Sequence, residues 1–268
     1  MRAHLVTLTT DIGPVYAAQM KAVLLHYVPP ERIVDLTHDV AAHQVGEAAF
    51  LLLHMAAGFP KGTVHLAVVD PGVGGLRAPV AVRCRDGSHL VGPDNGLLDP
   101  LARALGVAQV VRLAPERVRP GRTVSRTFEG RDLFAPAAGR IALGTPIARI
   151  GDPWTLRRLD LPNADRRPDG AAGVVLHADR FGNLITNVPG SWAPPVGTQV
   201  RLGIAGRTRR LRVYETYEAM PPRGLGLLIS SYGVVELAER EGPAADRLGA
   251  GVGDPVVLRW RAGQRRRK

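Results

Sequence analysis

The sequence predicts two domains: an α/β domain whose mostly parallel sheet is flanked by helices, then a small all-β barrel. Three observations predict this. Strand-like and helix-like runs alternate from the start through FAPAAGRIALG. Helical periodicity then fades across the polar, Pro- and Gly-bearing stretch LPNADRRPDGAA. Beyond it come only short β-rich runs separated by turn residues. The boundaries this suggests are residues 1–160 for the α/β domain, 161–170 for a linker and 171–268 for the barrel.

LVTLTTDIG reads as a first strand that ends where Thr10, Asp11 and Gly13 open a turn, and VYAAQMKAVLLHY follows with helical spacing of its apolar residues. RIVDLTHDV is a second short strand, and AAHQVGEAAFLLLHMAAGF a second helix stopped by Gly58 and Pro60. TVHLAVVD is a continuous apolar run ended by Pro71 and Gly72, as expected of a strand covered on both faces. PVAVRC and HLVGPDNGLLDPLARALG give a hairpin-like pair, a PDNG turn and a helix; FAPAAGRIALG is one more helix. In the second domain GVVLHADRFGNLITNV, TQVRLGIAG, RTRRLRVYETY, GLGLLISSYGVVELA and DPVVLRWR supply the strands.

Composition narrows the class of protein. At 268 residues and 45% hydrophobic content the chain can bury a real core. Its start lacks a secretory pattern and no segment is long and apolar enough to span a bilayer, so a cytoplasmic location without membrane association is expected. The single cysteine, Cys84, excludes an intrachain disulfide and reads as a structural thiol in a strand. The net charge of +11 is nearly all arginine scattered along the chain, with clusters at ERVRPGR, RTRRLR and the tail RRRK. No helix-turn-helix, zinc-finger or RNP signature accompanies it, so a solvated basic surface is expected and no nucleic-acid partner.

The chemistry-bearing residues cluster in a few loops. In VVDPGVGGLR, Asp70 stands at a strand end and a glycine-rich loop brings Arg77 back toward it. An arginine there would keep the carboxylate ionised and aimed, although on spacing alone a turn aspartate in a surface ion pair reads equally well. Asp11 also stands at a strand end, where open α/β sheets bind ligands, so the two carboxylates could share one site. In HADRFGNLITN, Phe181 could stack on a flat base and Asn183 offer a donor and an acceptor to a purine edge; a structural turn is the bland reading. His38, His43, His54, His65, His89 and His177 are dispersed without metal-ligand spacing, and no Walker loop, GxGxxG fingerprint or GxSxG elbow is present.

The ordered set TLTTDIG, QMKAVL, VDLTHDV, VVDPGVGGLR, GPDNGLL, TFEGRDLFAPAA, DRFGNLITN and ISSYGVVELA resembles the S-adenosylmethionine hydroxide adenosyltransferase family, related to fluorinase and chlorinase. The resemblance covers nearly the full chain. It implies a homotrimer that takes S-adenosyl-L-methionine (SAM) as substrate, uses no metal or other cofactor, and holds substrate where one subunit's first domain meets its neighbour's barrel. By motif, Asp11 matches the acid that grips the ribose hydroxyls, and Asn95 in GPDNGLL joins the substrate-binding set. Asp70 and Arg77 match two members of the Asp-Arg-His set assigned to water. Asp179 and Ser231 match contacts to the methionine amino-acid group, and Phe181, Asn183 and Tyr217 the adenine contacts.

Two positions depart from the pattern. Where the family reads TFHGRD this chain has TFEGRD, so Glu129 replaces the third catalytic member; the loop after Asp11 is also shorter, running from Gly13 to Pro14 and Tyr16. The expected reaction is attack of an oriented water on C5′, giving adenosine and methionine. A halogenase is disfavoured because the Asp70 charge would repel a halide, and because only CRDGSHL precedes VGPDNGLL where fluorinase has a long insertion. A protein that binds SAM or adenosine without turnover is the alternative that the Glu129 replacement keeps open. If Glu129 points away from Arg77, its expected partner is Arg126 or Arg131.

Overall fold

A computed structural model describes residues 4–260; the basic tail RRRK lies outside the described residues. The chain divides at Asp160/Leu161 into two compact units.

The first unit runs β1 (Val6–Thr10), α1 (Gly13–Leu24), β2 (Ile33–Thr37), α2 (Val45–Ala56), β3 (Val64–Val68), β4 (Pro79–Cys84), β5 (His89–Pro93), α3 (Asp99–Leu105), β6 (Val107–Leu113), α4 (Pro115–Val118), α5 (Ala135–Ala142) and β7 (Gly151–Pro153). Its seven strands lie in the order β2-β1-β3-β5-β4-β6-β7. The strands β2, β1, β3 and β5 are parallel neighbours, whereas β4 pairs antiparallel with both β5 and β6, and β6 antiparallel with β7. The sheet is therefore mixed, not mostly parallel as the alternation of strands and helices suggested. The cause is local. Between β4 and β5 the chain has only the Asp86–Gly87 turn, in which Ser88 N–H donates to Asp86 Oδ1 at 3.0 Å, and a turn this short can join only antiparallel strands.

β1 and β3 are buried along their whole length, and the core around them is built from Val6, Leu8, Leu66, Met20, Phe134 and Ile141 among others. Of the buried threonines of β1, Thr7 lies with Oγ1 2.8 Å from His65 Nδ1, a ring that burial pushes down to about 4 and so keeps neutral. Burial, with the nearby Asp86, pushes the Cys84 thiol up to about 12, in keeping with an unreactive structural role.

The second unit comprises β8 (Asp165–Arg167), β9 (Gly170–Ala178), β10 (Leu184–Pro189), β11 (Gln199–Ile204), β12 (Arg207–Val213), β13 (Leu225–Ile229), β14 (Val234–Glu239), α6 (Ala244–Leu248) and β15 (Pro255–Arg259). Seven of these strands close on themselves as β10-β14-β13-β12-β11-β15-β9, with β9 returning to β10 and β8 hydrogen-bonded to β9 at the side. Closure leaves the barrel without a free edge. Alternate residues fill its interior, among them Val200, Leu202, Leu211, Val235, Leu237 and Leu258. Among the described residues no helix is long and apolar enough to cross a membrane.

Candidate active site

In the first unit the parallel strands deliver the candidate residues. Thr10 of β1 is in register with Val68 of β3, and Leu66 of β3 with Val91 of β5, so Asp11, Asp70 and Asn95 leave the C-terminal ends of three adjacent strands. Each is held differently. Asp11 Oδ2 accepts the His43 N–H at 2.9 Å, and the turn behind it is tied by Gly13 N–H donating to the His38 carbonyl at 3.1 Å. Asn95 donates from Nδ2 to the Val69 carbonyl at 2.8 Å and accepts the Leu97 N–H at 3.1 Å. Much of its polar capacity therefore fixes the strand end that presents Asp70.

Asp70 and Arg77 meet as the glycine-rich loop suggested. Arg77 Nε donates to both Asp70 oxygens at 3.0 and 2.9 Å, and Nη2 makes a further close bond to Oδ2. The same Nη2 contacts Glu129 Oε2. One guanidinium thus bridges two carboxylates, with side chains only 7% (Arg77), 5% (Asp70) and 16% (Glu129) exposed. Its other face rests 5.4 Å from the Phe134 ring. Burial disfavours the arginine's charge, but the bonds and fields of Asp70 and Glu129 outweigh that and hold it above its ordinary pKa.

Backbone geometry places these groups. Gly74 sits at φ +71, and a Cβ there would come within 2.3 Å of the Arg126 carbonyl oxygen; Arg126 in turn donates to the Gly74 carbonyl at 2.9 Å. The loop between Asp70 and Arg77 is therefore pressed backbone to backbone against the segment that carries Glu129. Glu129 precedes a π-helical turn, Gly130–Phe134, the kind of local irregularity that re-aims side chains at functional sites. Arg126 and Arg131 have other partners, the Gly74 carbonyl and Asp132, and Glu129 points at Arg77.

A polar chain supports the Asp11 turn. Thr10 Oγ1 lies 2.9 Å from His38 Nδ1, His38 Nε2 lies 3.1 Å from Asp35 Oδ1, and Lys21 Nζ donates to Asp35 Oδ2 at 2.7 Å. Burial works against the Asp35 charge, but Lys21 and His38 prevail and hold its carboxyl below the ordinary value. His38, one of the histidines dispersed without metal-ligand spacing, is a member of this network.

The barrel gathers its five candidates on two recesses. One, a cavity of about 650 Å³, is lined by Asp179, Phe181, Asn183 and Tyr217 with the 239–243 segment. The other, about 450 Å³, shares Asp179 and Tyr217 and adds Ser231. Asp179 is a turn builder: it accepts the N–H groups of Phe181 and Asn183, both at 2.9 Å, and Asn183 Nδ2 at 3.0 Å. Gly182, at φ +79, completes the turn, where a Cβ would strike Pro243 at 2.5 Å. Phe181 is left 70% exposed with its ring presented to solvent, and Tyr217 is 48% exposed.

Sequence reasoning missed Glu236. Tyr217 donates to its Oε1 at 2.5 Å. Burial raises the Glu236 carboxyl above its ordinary pKa, Tyr217 opposing and Asp179 adding. Burial and Glu236 together raise the Tyr217 hydroxyl, which stays a donor. The signal was present as a lone charge in the apolar run GVVELA, but it reads there as a surface-facing strand residue. Among the described residues no group of three or more His, Cys, Asp and Glu side chains is arranged to hold a metal ion.

The model of the SAM hydroxide adenosyltransferase N-terminal domain matches residues 6–151, and that of the C-terminal domain residues 173–257. A protein of Salinispora tropica named (R)-S-adenosyl-L-methionine hydrolase is 40% identical over 93% of this chain and 95% of its own length. A protein of Actinoplanes sp. named Fluorinase is 27% identical, over 88% of this chain and 89% of its own. Among solved structures, an uncharacterised conserved protein from Thermotoga maritima superposes with a TM-score of 0.88 at 29% identity, covering 95% of this chain and all of that one.

Proposed function

Because the chain belongs to the SAM hydroxide adenosyltransferase family, we propose that it hydrolyses S-adenosyl-L-methionine to adenosine and L-methionine. The observation that carries the reading is the buried Asp70–Arg77 pair at the end of β3, a fixed carboxylate where a nucleophile needs one. Its charge favours a neutral nucleophile that must lose a proton over an anionic halide.

The sulfonium is already a good electrophile and departs as a neutral thioether. The residues of the site therefore align water behind C5′, and alignment alone can supply up to roughly 7–11 kcal/mol. Asp70 accepts the water's proton as the C–O bond forms. Arg77 fixes the orientation of Asp70, and Glu129, on the same guanidinium, is a second acceptor where the family has histidine. Asp11 binds the ribose hydroxyls, with Asn95 supporting the strand end. On the barrel, Phe181, Asn183 and Tyr217 hold adenine while Asp179 and Ser231 hold the amino-acid group. The active unit is a homotrimer in which one subunit's first unit and a neighbour's barrel complete each site.

The test is product identification after incubation with SAM, with and without chloride. Adenosine under both conditions is the expected result. A 5′-chlorinated nucleoside would make the protein a halogenase, and tight binding without product a SAM-binding protein.

A further inference from the structure

Glu236 occupies a position that should be solvated. In β14 the neighbours Val235 and Leu237 point into the barrel core, so Glu236 faces outward, opposite Leu228 of β13 and Ile185 of β10. Yet it is only 4% exposed. The cavity it lines, about 450 Å³, also carries the carboxylates of Asp179 and Glu215 and the imidazole of His177, and no lysine or arginine is among its described lining residues. A buried carboxylate costs several kcal/mol unless a partner compensates it, and one phenolic hydrogen bond from Tyr217 is partial compensation at most. Ser230 Oγ, on the wall of the same cavity, is buried without a hydrogen-bond partner. Asp179 is the weaker acceptor here, since three hydrogen bonds from its own turn already engage its two oxygens.

We propose that Glu236 is a specificity-determining residue for the amino-acid end of the substrate, supplying the negative charge that recognises its α-ammonium group, with Ser230 Oγ as a neighbouring acceptor. This rests on the SAM-hydrolysing reading and adds to it a residue and a selection rule: the cavity prefers a cation. Tyr217 lines both barrel cavities and bonds to Glu236, so the same carboxylate that meets the ammonium also sets the ring that borders the nucleoside.

Glu236→Gln keeps an acceptor for Tyr217 and removes the charge, which makes it the discriminating variant. The probes are SAM, which carries the ammonium, and adenosine, which lacks the whole amino-acid end. In Glu236→Gln the KM for SAM rises roughly tenfold or more while kcat and inhibition by adenosine stay near wild type. An unchanged KM, or equal weakening of SAM and adenosine, overturns the proposal, the latter because Glu236 would then act only by holding Tyr217. Ser230→Ala is the second variant, should Glu236→Gln not fold, and is expected to weaken SAM while leaving adenosine inhibition unchanged; unchanged SAM affinity there counts against the proposal. Dissociation constants from calorimetry replace KM if the wild type shows no turnover. Wild-type binding without product would refute the hydrolase reading while leaving charge selection measurable, so the two failures are distinguishable.

Discussion

Arg77 holds the buried carboxylate of Asp70 and the partly buried one of Glu129 with one guanidinium, and that ratio decides what each substitution does. Arg77→Met leaves Asp70 and Glu129 adjacent without a counter-charge and is expected to cost about 3–5 kcal/mol of stability in urea unfolding. Arg77→Lys restores charge but cannot reproduce the fork on Asp70, so stability recovers while kcat stays between about tenfold and a hundredfold low. Asp70→Ala should lower turnover by about 10²–10⁴, the range for a lost general base; wild-type activity in that variant would sink the mechanism. Glu129→His, which supplies the imidazole that the resemblance implies at this position, is expected to keep or raise activity and shift the pH–rate profile. The raised pKa of Glu236 gives substrate affinity its own pH dependence. A carboxyl held above its ordinary value loses its charge earlier as pH falls, so the KM for SAM should rise on acidification at a higher pH than an ordinary carboxylate would give. Glu236→Gln should flatten that rise, and superimposable KM profiles would contradict the assignment.

The elements explain which of these contacts could be foreseen. The β3 run TVHLAVVD and its stop at Pro71 are visible as an apolar stretch and a breaker, so Asp70 at a strand end was legible. The return of Arg77 was legible only as a possibility, because a glycine-rich loop allows many paths. What selects one is the backbone contact of Gly74 with Arg126, two segments distant in sequence. Gly74→Ala should therefore lower activity more than Glu129→His does, with a stability loss of about 1–3 kcal/mol from the forced φ and the clash. The direction of β4 was misread in its consequence: the hairpin was recognised, but not that it turns half of the sheet's pairings antiparallel. On the barrel, the arginines of RTRRLR read as a generic solvated face, whereas register makes them specific. Arg201 lies directly opposite both Arg210 and Arg259, all three exposed. Like charges in that relation destabilise, so Arg210→Glu should raise the melting temperature by a few degrees at low salt, a gain that fades toward about 1 M salt.

At the scale of the whole molecule, the two units each carry their own core and their own half of the candidate residues. The change from alternating strands and helices to short β runs was enough to read two domains, since it is a change of period and not of any one residue. The barrel was read from its short, turn-separated β runs, but its strand order and the burial of Glu236 were not legible, because both depend on strands far apart in sequence, such as β10 and β14. If each site takes its first-unit half from one subunit and its barrel half from a neighbour, two inactive chains can rescue one another. Asp70→Ala inactivates the first half; Phe181→Ala with Tyr217→Ala inactivates the second at two exposed positions that leave the barrel core untouched. When equal amounts are unfolded together and refolded into trimers, a site is intact if its first half comes from the barrel variant and its second from the Asp70→Ala chain. Each choice has a chance of about one half, so about a quarter of wild-type turnover per site should return, while either variant refolded alone stays inactive. Sites built from a single chain would give no recovery, because every chain in the mixture carries one damaged half.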